Sequence, residues 1–253
     1  MKKILLLALI VAFGLGAVGC RSYSGSSSEE QIGRRVRVRP FEQIETRLLG
    51  TVIYQQADTF GLKLEGDKKM VDGVQVSYEG NRIVLTQKNN VNLFSFGSRR
   101  SGKLTLYISS PDLIGADLVG AGSFEVRGKL DTDTLRLVLR GAGDMNIPYV
   151  VCDYLNAELR GAGDMTFGHV ETVGSDVQVR GVGDIDIRLK NAARARFGVH
   201  GTGDIDANLE RCGMVDCELV GVGDITLKGG ARQLKQSLRG TGDIDVSGLL
   251  IGK

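Results

Sequence analysis

The sequence has little net charge, and this excludes one broad class of partner. Lys and Arg number 32 and Asp and Glu number 30 among 253 residues. Loss of Lys2 and Lys3 with the N-terminal signal described below leaves 30 basic and 30 acidic side chains. Binding to nucleic acid or to an anionic membrane surface through bulk charge needs a clear basic excess. We therefore expect no nucleic-acid partner.

Long apolar runs are also scarce, and the one that is present lies at the N-terminus. MKKILLLALIVAFGLGAVGC has two lysines, an apolar stretch and a small-residue exit, the order typical of a secretory signal. A transmembrane helix is the alternative, but the run over residues 4–18 contains two glycines and is short for a bilayer core of about 30 Å. The exit AVGC resembles the bacterial lipobox, in which cleavage precedes an acylated cysteine. We predict a signal peptide over residues 1–19 and a lipid anchor at Cys20. Because Arg21 stands where aspartate would resemble an inner-membrane retention signal, the membrane is predicted to be the outer one, with the protein facing the periplasm or the cell exterior.

Two segments separate the signal from the second half of the chain. Residues 20–33 are serine-rich and polar, which is typical of a flexible tether. Residues 34–100 contain short alternating stretches such as GVQVSYEGNRIVLTQ, which predict an N-terminal β region that caps one end of the fold. The loop NLFSFGSRRSGK at residues 92–103 joins this region to the rest and is interpreted as a connector that exposes Arg99, Arg100 and Lys103.

A glycine-rich hexapeptide occurs six times in the second half. The copies RGAGDM, RGAGDM, RGVGDI, HGTGDI, VGVGDI and RGTGDI begin at Arg140, Arg160, Arg180, His200, Val220 and Arg239. Four consecutive intervals are 20 residues and the last is 19, and a fixed period of this kind indicates a repeat architecture. A degenerate copy, VGAGSF, lies upstream and has Ser123 in place of the aspartate.

Polarity alternates within each repeat, which indicates strands. In LRLVLRGAGDMNI the apolar positions are Leu135, Leu137, Leu139, Met145 and Ile147. Extending the alternation places Gly141 and Gly143 inward, where the chain bends. One coil of about 20 residues cannot bury its apolar face alone, so stacked coils must cover one another. We predict an all-β fold, a right-handed parallel β-solenoid over residues 101–253. A sandwich or barrel of antiparallel hairpins is the alternative, but alternate strands in it need not place the same residue at the same height.

The cysteines that remain after Cys20 are an odd set and cannot all pair within one chain. Cys152 and Cys212 share a column but lie three repeats apart, about 14 Å at a strand spacing of about 4.8 Å, which is too far for a disulfide. Cys217 falls in an apolar column. Buried free thiols are therefore predicted in preference to a Cys212–Cys217 bridge. The two histidines, His169 and His200, have no partner pattern that would make a thiol catalytic.

The repeated GxGDI/M motif, behind a lipoprotein signal and the segment FEQIETRLLGTVIYQQAD, resembles a bacterial envelope family described as putative auto-transporter adhesin, head GIN domain. The resemblance covers residues 38–247. It implies a secreted or lipid-anchored β-solenoid of Gram-negative bacteria, common in the Bacteroidetes, with an adhesin-like role. It supplies no catalytic residues.

Two classes of function fit such an array. A calcium-assisted polysaccharide lyase or hydrolase would use clustered carboxylates, here Asp184, Asp186, Asp204 and Asp206. Catalysis, however, needs one differentiated constellation, whereas these residues stand in columns of near-copies. We predict no enzyme activity, no catalytic residues, no cofactor and no metal. The preferred hypothesis is a cell-envelope lipoprotein that presents a repetitive surface for adhesion to a glycan or a protein, and whose solenoid ends can contact a second copy.

Two charged columns flank the glycines of the motif and form the candidate surface. The basic column is Arg140, Arg160, Arg180 and Arg239, and the acidic column is Asp144, Asp164, Asp184, Asp204, Asp224 and Asp243. Both are predicted to face outward and to pair, with about 0–1 kcal/mol for each exposed pair. A second acidic column, Asp186, Asp206 and Asp245, favours a cation site, but Asn146, Thr166 and Thr226 interrupt it. We predict that the motif aspartates accept backbone hydrogen bonds rather than bind a cation.

Overall fold

A computed structural model of the chain describes residues 30–88 and 103–252. The predicted signal peptide, Cys20, most of the tether, and Arg99 and Arg100 lie outside the described residues. The strands are β1 Gln31–Val36, β2 Gln43–Arg47, β3 Leu49–Gln56, β4 Gly61–Asp67, β5 Val74–Glu79, β6 Arg82–Gln87, β7 Leu104–Ser110, β8 Gly115–Leu118, β9 Ala121–Val126, β10 Lys129–Asp131, β11 Thr134–Leu139, β12 Ala142–Ile147, β13 Tyr149–Leu159, β14 Met165–Val179, β15 Ile185–Lys190, β16 Arg194–Val199, β17 Ile205–Val222, β18 Ile225–Thr241 and β19 Ile244–Ile251. The helix α1 spans Lys68–Gly73.

Each repeat forms one coil with three strand segments. In the coil that carries the first full hexapeptide, β11 forms the first face and β12 the second face, and residues 149–152 form the third face. We use these names for the equivalent segments of every coil. The motif itself makes the corner between the first and second faces. About seven such turns of roughly 20 residues make up the solenoid.

Successive coils pair in parallel, with equivalent residues at the same height. Leu137 pairs with Ala157, and the column continues through Val177, Phe197 and Cys217. All five side chains are fully buried. Burial of each large apolar side chain is worth about 1.5–3 kcal/mol, so these ladders hold the coils together. The parallel register confirms the predicted β-solenoid and rules out the sandwich of antiparallel hairpins for the array.

The N-terminal end of the stack has a different topology. Strand β2 lies between β6 and β8, and β3 lies between β7 and β9, all in parallel. Residues of the N-terminal region therefore form layers of the same stack, in an order that differs from the order of the chain. Outside these layers, β5 pairs antiparallel with β6, and β4 pairs antiparallel with β7 and β1. Helix α1 buries Met70 and Val71 in the core at this end.

The C-terminal end of the stack leaves apolar side chains exposed. Leu238 is 47% exposed and Ile251 is 54% exposed although both stand in core columns, because no coil in the part of the chain that the structure describes covers the one that contains them. Within the described residues, β19 pairs only with β18, so its outer edge is open. The solenoid therefore has one end covered by antiparallel strands and a helix, and one end with an open parallel edge.

Cys152, Cys212 and Cys217 are free and buried, which confirms the predicted thiols. No helix in the described ranges is long and apolar enough to cross a membrane.

Candidate functional site

The glycines of the motif lie so close to the backbone of the preceding coil that no side chain fits there. A Cβ atom added at Gly163 would lie 1.9 Å from the carbonyl oxygen of Gly143, and one added at Gly183 would lie 2.0 Å from that of Gly163. The φ angle of Gly163 is +135°, in a region that L-residues rarely adopt. The prediction that these glycine positions face the core is therefore wrong, because a side chain here would point along the stack into the preceding coil. Contact between coils explains why the hexapeptide recurs.

The motif aspartates form a hydrogen-bonded ladder along this corner. The backbone N–H of Asp184 donates to Oδ1 of Asp164 at 3.0 Å, and that of Asp204 donates to Oδ1 of Asp184 at 2.9 Å. Equivalent bonds link Asp144 to Asp164, Asp204 to Asp224 and Asp224 to Asp243, at 3.3, 2.7 and 2.7 Å. The five carboxylates from Asp144 to Asp224 thus accept a backbone hydrogen bond from the next coil, and Asp243 accepts one from the N–H of Ile244. An ionised acceptor makes such a bond stronger than one between neutral groups.

The arginines of the motif contact other carboxylates than the expected ones. Arg140 lies 3.1 Å from Asp117, and Arg160 and Arg180 lie 2.7 and 3.2 Å from Glu158. Pairing between the two motif columns is therefore wrong for these three arginines. Arg239 makes no ion pair with any residue that the structure describes. The side chains of Arg140, Arg160 and Arg180 instead lie over the outer side of the first face.

Sequence reasoning missed the carboxylates on that face. Asp117 is 3% exposed and also contacts Arg136 at 2.8 Å, and Glu45 is 4% exposed and contacts Arg82 at 2.9 Å. Burial alone would raise the pKa of Glu45, but hydrogen bonds from Arg47 and Arg82 outweigh burial and lower it. Glu45 and Asp117 occupy the position that lies two residues before the motif in each coil. Some other coils have valine, glutamine, glycine or serine at this position, so the sequence shows no continuous acidic column there.

A shallow groove of about 590 Å³ runs along the second face of the array. Its polar lining includes Asp186, Arg188, Asp206, Asn208 and Lys228. Burial raises the pKa of Asp186, and the like charges of Asp206, Asp184 and Asp164 raise it further. In the part of the chain that the structure describes, acidic, histidine and cysteine side chains form no group of three placed to hold a metal ion. The four aspartates considered for a calcium site are therefore not gathered into one.

These features define a class of protein, a parallel β-solenoid whose surface consists of repeated polar columns. Residues 40–212 match the family described as "Putative auto-transporter adhesin, head GIN domain". The match spans more than half of the chain, and the chain belongs to this family. Membership supports an adhesion or binding role at the cell envelope. No curated protein matches the chain.

Solved structures share the fold. A "putative adhesin" from Bacteroides fragilis is 28% identical, with a TM-score of 0.78 over 86% of this chain and 97% of its own. A "putative adhesin" from Parabacteroides distasonis is 16% identical, with a TM-score of 0.65 over 86% of this chain and 97% of its own. A "putative lipid binding protein" from the same organism is 17% identical, with a TM-score of 0.62 over 89% and 98%. The last two likenesses concern the fold alone.

Proposed function

We propose that this chain is a non-enzymatic outer-membrane lipoprotein whose solenoid surface binds a glycan or a protein partner in adhesion. The observation that carries the proposal is the exposed second face of the array. Its side chains stand in register from coil to coil, so a polar group, aspartate or threonine, recurs about every 4.8 Å along the stack. A surface with this translational repeat suits a ligand that is itself repetitive.

The chemistry of the array supports binding rather than turnover. The motif carboxylates accept hydrogen bonds from the backbone of the neighbouring coil, so their placement serves the stack. The arginines next to them are held by Asp117 and Glu158. Turnover would need one acid or base set apart from its neighbours by its surroundings. The motif column instead offers the same carboxylate in six successive coils, from Asp144 to Asp243.

The proposed anchor would be attached at the covered end of the stack. Lipidation at Cys20 would attach the chain to the membrane through the serine-rich tether. The tether leads to β1, which lies at the covered end of the stack. The open C-terminal end would then point away from the membrane.

Fractionation and adherence tests address this function. Cys20→Ala should move the full chain from the membrane fraction to the soluble periplasmic fraction. Cells that carry the unaltered chain should bind immobilised glycans or envelope proteins more than cells that lack it. Unchanged fractionation of Cys20→Ala would contradict the anchor, and equal adherence of the two strains would contradict the adhesion role.

A further inference from the structure

A second groove lies on the second face near the covered end of the stack, and its side chains are not part of the repeat. Its volume is about 570 Å³. One row crosses it from strand to strand, because Arg35 pairs with Lys63, Lys63 with Tyr107, and Tyr107 with Ile53. Further along the stack the same row continues with Glu125, Asn146, Thr166, Asp186 and Asp206. The row is thus basic and apolar at this end and polar or acidic in the array.

The cations of this groove surround an aromatic ring. Nζ of Lys63 lies 5.8 Å and Cζ of Arg127 lies 5.7 Å from the centre of the Tyr107 ring. Lys63 forms an ion pair with Glu65. Over residues 30–88 and 103–252, Arg35 and Arg127 have no carboxylate within 4.0 Å, and both are exposed. Two guanidinium groups therefore keep their donors available to a ligand, unlike Arg140, Arg160 and Arg180 of the array.

The base of the groove is apolar. Ile53 points outward yet is only 8% exposed, and Phe60 is 37% exposed. The Phe60 ring lies 5.5 Å from the buried ring of Phe41, which holds it in place. Gln55 and Ser109 add an amide and a hydroxyl to the lining. An aromatic or apolar base with neighbouring amide and hydroxyl groups suits a sugar ring, which has an apolar C–H face and a polar edge.

The spacing of the arginines indicates an extended ligand. Arg35 lies on β1 and Arg127 directly follows β9, at the two outer strands of the order β1-β4-β7-β3-β9. Four strand spacings of about 4.8 Å separate the backbones of these two strands by about 19 Å, and the Arg127 side chain reaches back to the Tyr107 ring on β7. The two arginines thus stand on either side of the groove, and an oligomer with an anionic group on successive units can contact both. The planar donor fork of arginine fits a carboxylate in two parallel hydrogen bonds.

We propose that this groove binds an acidic oligosaccharide, with carboxylates on Arg35 and Arg127 and sugar rings on Tyr107 and Phe60. The inference deepens the proposed binding function by assigning a site and a ligand class. A neutral glycan would leave both guanidinium groups without an anionic partner. A flat lipid surface would reach the exposed arginines but not the apolar base between them.

Titration calorimetry tests the proposal with tetragalacturonate and its fully methyl-esterified, neutral counterpart. The protein is the full chain with Cys20→Ala, so that no acyl anchor contributes. Tetragalacturonate should bind, the ester should bind at least about tenfold more weakly, and Arg127→Gln should weaken tetragalacturonate by about tenfold or more. Arg194→Gln is the control, since Arg194 is exposed on the first face and lines neither groove, and it should leave affinity within about twofold. Tyr107→Leu, which keeps every charge, should also weaken binding by about tenfold.

The outcomes separate the groove from the wider function. No binding of tetragalacturonate up to about 10 mM, equal binding of the ester, or equal effects of Arg127→Gln and Arg194→Gln would overturn the proposal. Binding to phosphatidylglycerol vesicles without binding to the saccharide would overturn it in favour of a lipid surface. A glycan or protein that binds the chain independently of Arg127 would overturn the groove and leave the proposed adhesion function intact.

Discussion

Replacement of a motif glycine by alanine should destabilise the solenoid strongly. At Gly183 the added Cβ would lie 2.0 Å from the carbonyl oxygen and 2.8 Å from the carbonyl carbon of Gly163, and φ is +134°. These neighbours are backbone atoms, so the contact is relieved only if the two coils move apart. A non-glycine residue in this backbone region costs about 1–3 kcal/mol, and overpacking adds about 1–3 kcal/mol. We expect Gly183→Ala to lower the free energy of unfolding by about 4 kcal/mol.

Thermal unfolding followed by circular dichroism measures this loss. For a protein of this size each kcal/mol lowers the midpoint by roughly 2–4 °C, so the midpoint should fall by about 8–16 °C. Two further variants separate the causes. Gly181→Ala places Cβ 2.1 Å from the oxygen of Gly161 without a positive φ, so it should show the contact cost alone. Gly80→Ala, with a φ of +63° and no neighbour within 4 Å, should show the backbone cost alone, about 1–2 kcal/mol.

Gly230→Ala is the matched control, because its nearest neighbour would be 4.0 Å away and its φ is not positive. It should change stability by no more than about 0.5 kcal/mol. If Gly183→Ala melts within about 2 °C of the unaltered protein, the close approach of the coils is not what the motif glycines serve.

Three other predictions concern the columns and the core. Asp184→Ala removes the acceptor of the Asp204 N–H and should cost about 1 kcal/mol in urea unfolding, whereas Asp184→Asn keeps a neutral, weaker acceptor and should cost less. A melting point that rises with millimolar calcium relative to chelator, and loses this response in Asp184→Asn, would instead make the ladder a metal site. Burial and neighbouring carboxylates raise the pKa of Asp186 in the folded protein. The contribution of this group to stability is therefore complete below the pKa of the unfolded chain and is lost as pH rises through the folded pKa. Asp186→Asn should flatten this part of the curve of stability against pH, and an identical curve would refute the shift. Burial raises the pKa of Cys217 to about 12, so a thiol reagent at about pH 8 should modify it only after unfolding, and rapid reaction in the folded protein would contradict its burial.

The fold of the array could be predicted because every coil repeats the same pattern. Leu137 and its equivalents mark the core, and the motif marks the corner, at intervals that only parallel stacking satisfies. The N-terminal layers could not be placed in this way. Gly50 occupies the column of Gly122 and Gly143, but its surroundings, RLLGTV, keep only that one glycine of the motif. Nothing local shows that β2 and β3 lie between layers formed later in the chain.

The candidate sites were predictable to different degrees. The motif aspartates repeat, so their role as acceptors of backbone hydrogen bonds followed from the sequence and the usual behaviour of short acidic side chains at turns. The sequence did not show that the donors belong to the next coil. The partner of Arg140 did not follow, because Asp117 lies 23 residues earlier, outside any copy of the motif. The groove around Tyr107 depends on strands from four separate parts of the chain and on antiparallel pairs at the end of the stack. No periodicity signals such a site.

Retention of the purified full chain on an array of acidic and neutral glycans and envelope proteins tests the central claim most directly, provided that the retained glycan is also analysed for cleavage. The account predicts saturable binding to at least one immobilised partner, with any retained glycan recovered intact with or without calcium. Release of shortened saccharide, abolished by Asp204→Asn, would show an enzyme rather than a binding protein. Absence of retention on every partner would contradict the adhesion function itself.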